Sequence, residues 1–125
     1  MDRYERHLQH LEATLPHLDP PAVQALLKRG ETVLVDVREP DEFAAAHIPG
    51  ALNLPRFRLE ARIETAVPDP AARLILYCGS RGRSTLAAAT LRDMGLDAMV
   101  LKGGLKAWVG AGLRVEEESG RTGPT

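Results

Sequence analysis

Leu74-Ile75-Leu76-Tyr77-Cys78-Gly79-Ser80-Arg81-Gly82-Arg83-Ser84 is the stretch that decides the fold. Its first four residues are a short apolar run that turn residues follow at once, the pattern of a buried strand. From Ser84 onward, Leu86, Ala87, Ala89, Thr90 and Leu91 take helical spacing, with Ser84 as the expected cap. Cys78, the single cysteine in 125 residues, therefore stands where a strand ends and a tight loop leads to a helix N-terminus. Unpaired amides and the positive end of the helix dipole gather at such a place. Gly79 and Gly82 let the loop curl until its amides converge, and Arg81 and Arg83 add full positive charge. Each feature favours thiolate over thiol, so Cys78 reads as a nucleophile in a cradle suited to a small oxyanion. The opposing reading is an inert buried cysteine, which is rarely ringed by Gly, Ser and Arg in this way.

Composition bounds what such a cysteine can do. The length suits one domain, and a hydrophobic content of 44% is enough for a real core. A formal net charge of −1 supplies no global field for nucleic acid or a membrane surface. One cysteine excludes an internal disulfide framework and a Cys-rich zinc site, and fits a reducing compartment. The opening residues lead into no long apolar run, so no signal peptide or membrane span is expected, and the cytoplasm is the default.

Outward from the cysteine, apolar strand-like runs alternate with helical stretches. Thr32 to Val37 is almost continuously β-branched or apolar, as in a strand covered on both faces. Ala51–Leu54 and Ala98–Leu101 read as further strands, and Leu15–Leu18 as a short one. Helices are expected from Asp19-Pro20-Pro21 to Gly30, from Glu39-Pro40 to His47, from Arg56 to Ile63, from Ser84 to Met94, and from Gly103-Gly104 to Gly110. The alternation predicts an α/β fold, a doubly wound parallel sheet with helices on both faces. Ligands of such sheets lie beyond the C-terminal edge of the strands, where Cys78 falls. Residues 1–14 predict an amphipathic helix with Tyr4, Leu8, Leu11 and Leu15 on one stripe, facing either its own domain or a partner. His7 and His10 lack a third ligand nearby and read as solvated. Gly103-Gly104 lacks the lysine and spacing of a phosphate loop. Residues 1–18 thus form an N-terminal extension, 19–115 the domain, and 116–125 a mobile polar tail.

Three stretches, in order, carry a family resemblance: Asp36-Val37-Arg38-Glu39-Pro40-Asp41-Glu42-Phe43 with His47-Ile48-Pro49-Gly50-Ala51-Leu52-Asn53-Leu54-Pro55; Tyr77 to Ser84; and Leu101-Lys102-Gly103-Gly104-Leu105-Lys106-Ala107-Trp108. Over roughly Asp19 to Leu113 the chain resembles a single-domain rhodanese-like sulfurtransferase. The resemblance implies a five-stranded parallel sheet and a Cys78 that accepts a sulfane sulfur, becomes a persulfide and passes it on. The family's six-residue loop falls on Cys78–Arg83, so Gly79, Ser80, Arg81, Gly82, Arg83 and Ser84 are the expected substrate-binding residues. The implied donor is a small sulfur anion, thiosulfate or a persulfide, and the acceptor a thiol or cyanide. No cofactor or metal is implied, and a monomer or weak dimer is expected. Two positions depart from the family: Arg81 stands where close relatives usually have glycine, and Ala46 where a glycine usually precedes the histidine. Either the loop takes its glycine conformation one residue later, at Gly82, or Arg81 tolerates the geometry.

Asp36, Arg38 and His47 read as supporting residues. A carboxylate ending a buried strand needs a loop backbone or an arginine as partner. Arg38 and Glu42, four apart, are expected to pair. His47 at a helix end suits a hydrogen-bonded cap better than a base for Cys78, and Trp108 reads as core. Two other functions compete: a cysteine phosphatase or arsenate reductase on the same fold, and a non-catalytic sulfur-binding or regulatory module. A phosphate cradle of the first kind needs five residues between cysteine and arginine, whereas Cys78 and Arg83 have four. The second usually lacks the cysteine.

Overall fold

Strand residues alternate between two cores. Leu74, Leu76 and Cys78 face one side of the sheet with Val35, Val37, Ala98 and Val100. Ile75 and Tyr77 face the other with Leu34, Met99 and Leu101. This period of two along strands apolar on both faces requires a helical layer on each side. The computed structural model, which describes residues 1–118, supplies both layers. In chain order the elements are α1 (Arg3–Thr14), β1 (His17–Leu18), α2 (Pro20–Arg29), β2 (Thr32–Asp36), α3 (Pro40–Ala45), β3 (Leu52–Asn53), α4 (Leu59–Ala66), β4 (Arg73–Tyr77), α5 (Arg83–Asp93), β5 (Asp97–Leu101) and α6 (Gly104–Gly110). The five strands run parallel in the order β1-β5-β4-β2-β3. Leu59 and Ile63 of α4 and Ala87, Ala88 and Leu91 of α5 fill the first core. Val23 of α2 and Trp108 of α6 fill the second, where the indole Nε1 donates to the Arg114 carbonyl at 2.9 Å. No helix among the described residues is long and apolar enough to cross a membrane.

β4 is central, and all of it but Arg73 is buried. Cys78 follows its last residue, so the sheet fixes the cysteine from both sides. The amide of Val37 donates to the Tyr77 carbonyl at 3.0 Å, extending the β2 pairing to the cysteine's neighbour. Next to it, Asp36 is fully buried and takes an Arg38 fork: Nε at 3.1 Å from Oδ1 and Nη2 at 2.8 Å from Oδ2, with the Arg38 amide 2.9 Å from Oδ1. Arg38 also donates to the Ala46 carbonyl, so this pair ties the end of β2 to the end of α3. Asp36→Ala would strand a buried guanidinium, and a loss of about 3–5 kcal/mol in stability is expected. Chemical denaturation checks this; a variant within ~1 kcal/mol of wild type would show the pair to be dispensable.

The structure shifts several sequence expectations. Arg38 and Glu42 do not pair, because Asp36 holds Arg38 and Glu42 turns to Arg83. α4 starts at Leu59 rather than Arg56, after a turn in which the Arg58 amide donates to the Pro55 carbonyl at 2.9 Å. Its register follows the buried pair Leu59 and Ile63. The segment read as a mobile tail from Glu116 begins attached: His47 and Glu116 exchange backbone hydrogen bonds at 2.8 and 2.9 Å, and the Glu118 amide donates to the Ala44 carbonyl. The remainder of that tail, residues 119–125, lies outside the described residues.

Leu8 and Leu11 of α1 are buried and the helix packs on α5. Of the expected stripe, Leu15 joins the first core as a partly buried residue, while Tyr4 is exposed. Two buried leucines contribute about 1.5–3 kcal/mol each before the ordering cost. Asp2 caps the helix by accepting the Glu5 amide at 2.7 Å.

Candidate active site

The strand-to-helix loop closes over the thiol. Gly82 occupies the N-cap of α5 with φ +36° and ψ −71°, a conformation that L side chains rarely adopt. No residue other than glycine has positive φ among those described, so Arg81 sits in ordinary backbone space and Gly82 carries the turn. Ser84, expected as the cap, lies inside the first helical turn instead. Its buried hydroxyl Oγ is 3.2 Å from Cys78 Sγ. The Cys78 thiol donates to the Arg81 carbonyl. By helix geometry the first amides of α5 have no intrahelical acceptor and point toward the loop.

The second support comes from α6. The Leu105 amide donates to the Cys78 carbonyl at 2.9 Å and the Lys106 amide to the Gly79 carbonyl at 3.0 Å. Gly104, at φ +60°, lies so close that a Cβ there would overlap the Cys78 carbonyl oxygen. The glycine pair that has no phosphate-loop spacing is thus a seat for the cysteine loop.

Both loop arginines point away from free solvent charge and into carboxylates. Arg83 makes a fork with Glu42, Nη1 to Oε1 at 2.7 Å and Nη2 to Oε2 at 3.1 Å. Arg81 reaches back across the chain to α1: Nε and Nη2 donate to Glu12 at 2.6 and 2.7 Å, and Nη1 donates to Glu5 at 2.9 Å. Hydrogen bonds to Glu12, then Glu5, hold the Arg81 guanidinium firmly protonated, and Arg81 in turn holds the Glu12 carboxyl below its usual range. The expected electropositive cradle is therefore largely neutralised, since each cation has a carboxylate partner within bonding distance.

The Arg83 guanidinium, aided by the Glu39 amide, brings the Glu42 carboxyl down to about 2. A folded value below the unfolded one means that the pair's stabilisation is whole above an unfolded value of ~4.3 and is lost as pH falls through the folded value. Both side chains are more than a third exposed, so the contribution is below ~1 kcal/mol. Glu42→Gln is expected to melt a few degrees below wild type near neutral pH, with the gap closing as pH falls toward 2. Melting curves that stay equally separated down to that pH would contradict the assignment.

Cys78 lines a recess of about 340 Å³ together with the loop residues Gly79 to Arg83 and with Tyr4, Glu5 and Leu8 of α1. The cysteine itself is only 1% exposed. His47 is engaged elsewhere: Nδ1 lies 2.8 Å from the Phe43 carbonyl, Nε2 3.5 Å from Glu116 Oε1, and its ring stacks on Phe43 at 3.8 Å. Asp36 and Arg38 bind each other beneath the loop's neighbouring strand, so neither they nor His47 join Gly79, Ser80, Arg81, Gly82, Arg83 and Ser84 around the thiol.

Residues 19–111 match the profile of the rhodanese-like domain. The chain belongs to the rhodanese-like family. An uncharacterized protein of Synechocystis sp. is 41% identical over 96 residues, 75% of this chain and 52% of that protein. A sulfurtransferase of Allochromatium vinosum is 35% identical over 98 residues, 78% of this chain and 90% of that protein. A crystal structure of a thiosulfate sulfurtransferase from Pseudomonas aeruginosa superposes with a TM-score of 0.79 at 34% identity, covering 86% of this chain and 21% of that one. The chain thus spans about half of the Synechocystis relative and a fifth of the Pseudomonas one.

Of the two departures from the family pattern, Arg81 is absorbed by Gly82, as described. Ala46 takes φ −167°, extended backbone open to any residue. Sequence reasoning missed the α1 carboxylates and the seat at Gly104. Glu5 and Glu12 are seven residues apart and so share a helix face beside Leu8, which is the one local signal that α1 carries an acidic edge.

Proposed function

We propose that this rhodanese-like domain is a sulfurtransferase that carries sulfane sulfur on Cys78. The observation that carries the reading is the thiol itself, on a residue that lines the recess, at the C-terminal end of the central strand and at the first turn of α5. The Cys78 thiolate attacks the outer sulfur of the donor, the donor's S–S bond breaks, and its electron pair leaves with sulfite or a thiolate. Cys78 is left as a persulfide, whose terminal sulfur an acceptor thiolate or cyanide then takes while the Cys78–S bond breaks and the thiolate returns. The first amides of α5 face the terminal sulfur anion, and the Ser84 hydroxyl is within reach of the inner sulfur. A lone thiol of this kind works in a reducing compartment such as the cytoplasm.

The four-residue spacing of Cys78 and Arg83, and the engagement of Arg83 by Glu42, favour sulfur over a phosphate ester. The test is single-turnover transfer: protein loaded with thiosulfate or cysteine persulfide, freed of donor and offered cyanide, should release one thiocyanate per loaded chain. Hydrolysis of p-nitrophenyl phosphate with no thiocyanate formed would replace this reading with the phosphatase one.

A further inference from the structure

Arg81 lines the recess with Cys78, yet its guanidinium is turned to α1. Two carboxylates, Glu5 and Glu12, take four contacts from it between 2.6 and 2.9 Å. Arg83 is likewise engaged by Glu42. Both loop arginines are therefore held by carboxylates, while Lys102 and Lys106 line the adjoining cavity with Glu12 and Arg81. Glu5 lines the recess itself, beside the buried Leu8 and the phenol of Tyr4, whose hydroxyl lies against Gly82. A dianion entering this recess meets a carboxylate at the wall and arginines already paired with carboxylates. A persulfide carried on carbon brings at most one negative charge on its sulfur against the two of thiosulfate, and so meets less repulsion at Glu5.

We propose that α1 selects the sulfur donor, with Glu5 and Glu12 as its specificity-determining residues: the chain takes sulfur from alkyl persulfides in preference to thiosulfate. This rests on the sulfurtransferase reading above and names its donor class. The transfer balances without an added redox partner. Cys78 thiolate attacks the outer sulfur of RS–SH, the S–S bond breaks, RS⁻ leaves with the electron pair, and Cys78 becomes Cys–S–SH.

The experiment compares kcat/KM for thiosulfate, for cysteine persulfide and for a short unstructured peptide bearing one persulfidated cysteine. It uses the full chain as wild type and as the Glu5→Gln/Glu12→Gln double variant. Neutralising the recess carboxylate Glu5 and freeing Arg81 from both its partners should raise thiosulfate kcat/KM by on the order of tenfold, with both alkyl donors changing less than about twofold. In the wild type, thiosulfate turnover should also rise with ionic strength, as repulsion is screened. A double variant with unchanged donor ratios, or a wild type that prefers thiosulfate and loses it with salt, overturns the proposal. The ratio of the two alkyl donors tells a free persulfide from a protein-borne one, and a preference for either over thiosulfate sustains the claim. If no donor sulfurates Cys78 in either protein, the sulfurtransferase reading fails as well, an outcome plainly different from a wrong donor order.

Discussion

Cys78→Ser is expected to abolish sulfur transfer and leave the fold intact. The chain holds no second thiol to take over, and a serine alkoxide does not form at neutral pH without a base to activate it. The side chain is buried but polar neighbours await a hydroxyl, the Arg81 carbonyl and Ser84 Oγ. The loss in stability should therefore stay near ~1 kcal/mol, a shift of a few degrees in melting temperature. Transfer from any donor should fall to the background of buffer alone. A serine variant that turns over at even a hundredth of the wild-type rate would place the chemistry on some other group.

Gly104→Ala is expected to damage activity almost as much, from outside the cysteine loop. Its Cβ would overlap the Cys78 carbonyl oxygen and stand 2.9 Å from Gly79 C and Ser80 N. All three neighbours are backbone, so the loop itself must move. Left-handed strain of about 1–2 kcal/mol adds to overpacking of about 1–3 kcal/mol. The Leu105 and Lys106 amides that hold the Cys78 and Gly79 carbonyls would be pushed away with α6. A displacement near 1 Å at a reacting atom costs on the order of 100-fold in rate. Gly112→Ala is the control, because Gly112 has φ +78° but nothing within 4 Å of a Cβ. It carries the strain alone and should keep full activity. Equal melting temperatures and equal rates for the two variants would show that α6 does not seat the loop.

These two glycines also mark the limit of what the sequence shows. The sheet is legible because Thr32–Asp36, Arg73–Tyr77 and Asp97–Leu101 carry apolar residues on both faces, a pattern that only a covered parallel sheet satisfies. The nucleophile is legible because strand, loop and helix start are contiguous in the chain. The electrostatics of the site are not. Arg81 meets Glu12 and Glu5 across 69 and 76 residues, and Arg83 meets Glu42 across 41. No periodicity encodes such contacts, since they depend on where packing sets α1 and α3 around the loop. For that reason Arg81 and Arg83 read as a bare cationic cradle in sequence and prove to be engaged by carboxylates in the fold. Ser84 differs for a smaller reason. Gly82 can adopt the turn that the cap requires, so the cap falls two residues earlier and the serine hydroxyl lies against the thiol.

That Cys78 carries the sulfur is tested most directly by the intact mass of the protein after exposure to cysteine persulfide and removal of the donor. Wild type should gain the mass of one sulfur atom, located on the peptide that contains Cys78 and lost on treatment with a thiol or cyanide, while Cys78→Ser gains nothing. An unmodified wild type, or an added sulfur atom on Cys78→Ser, would contradict it.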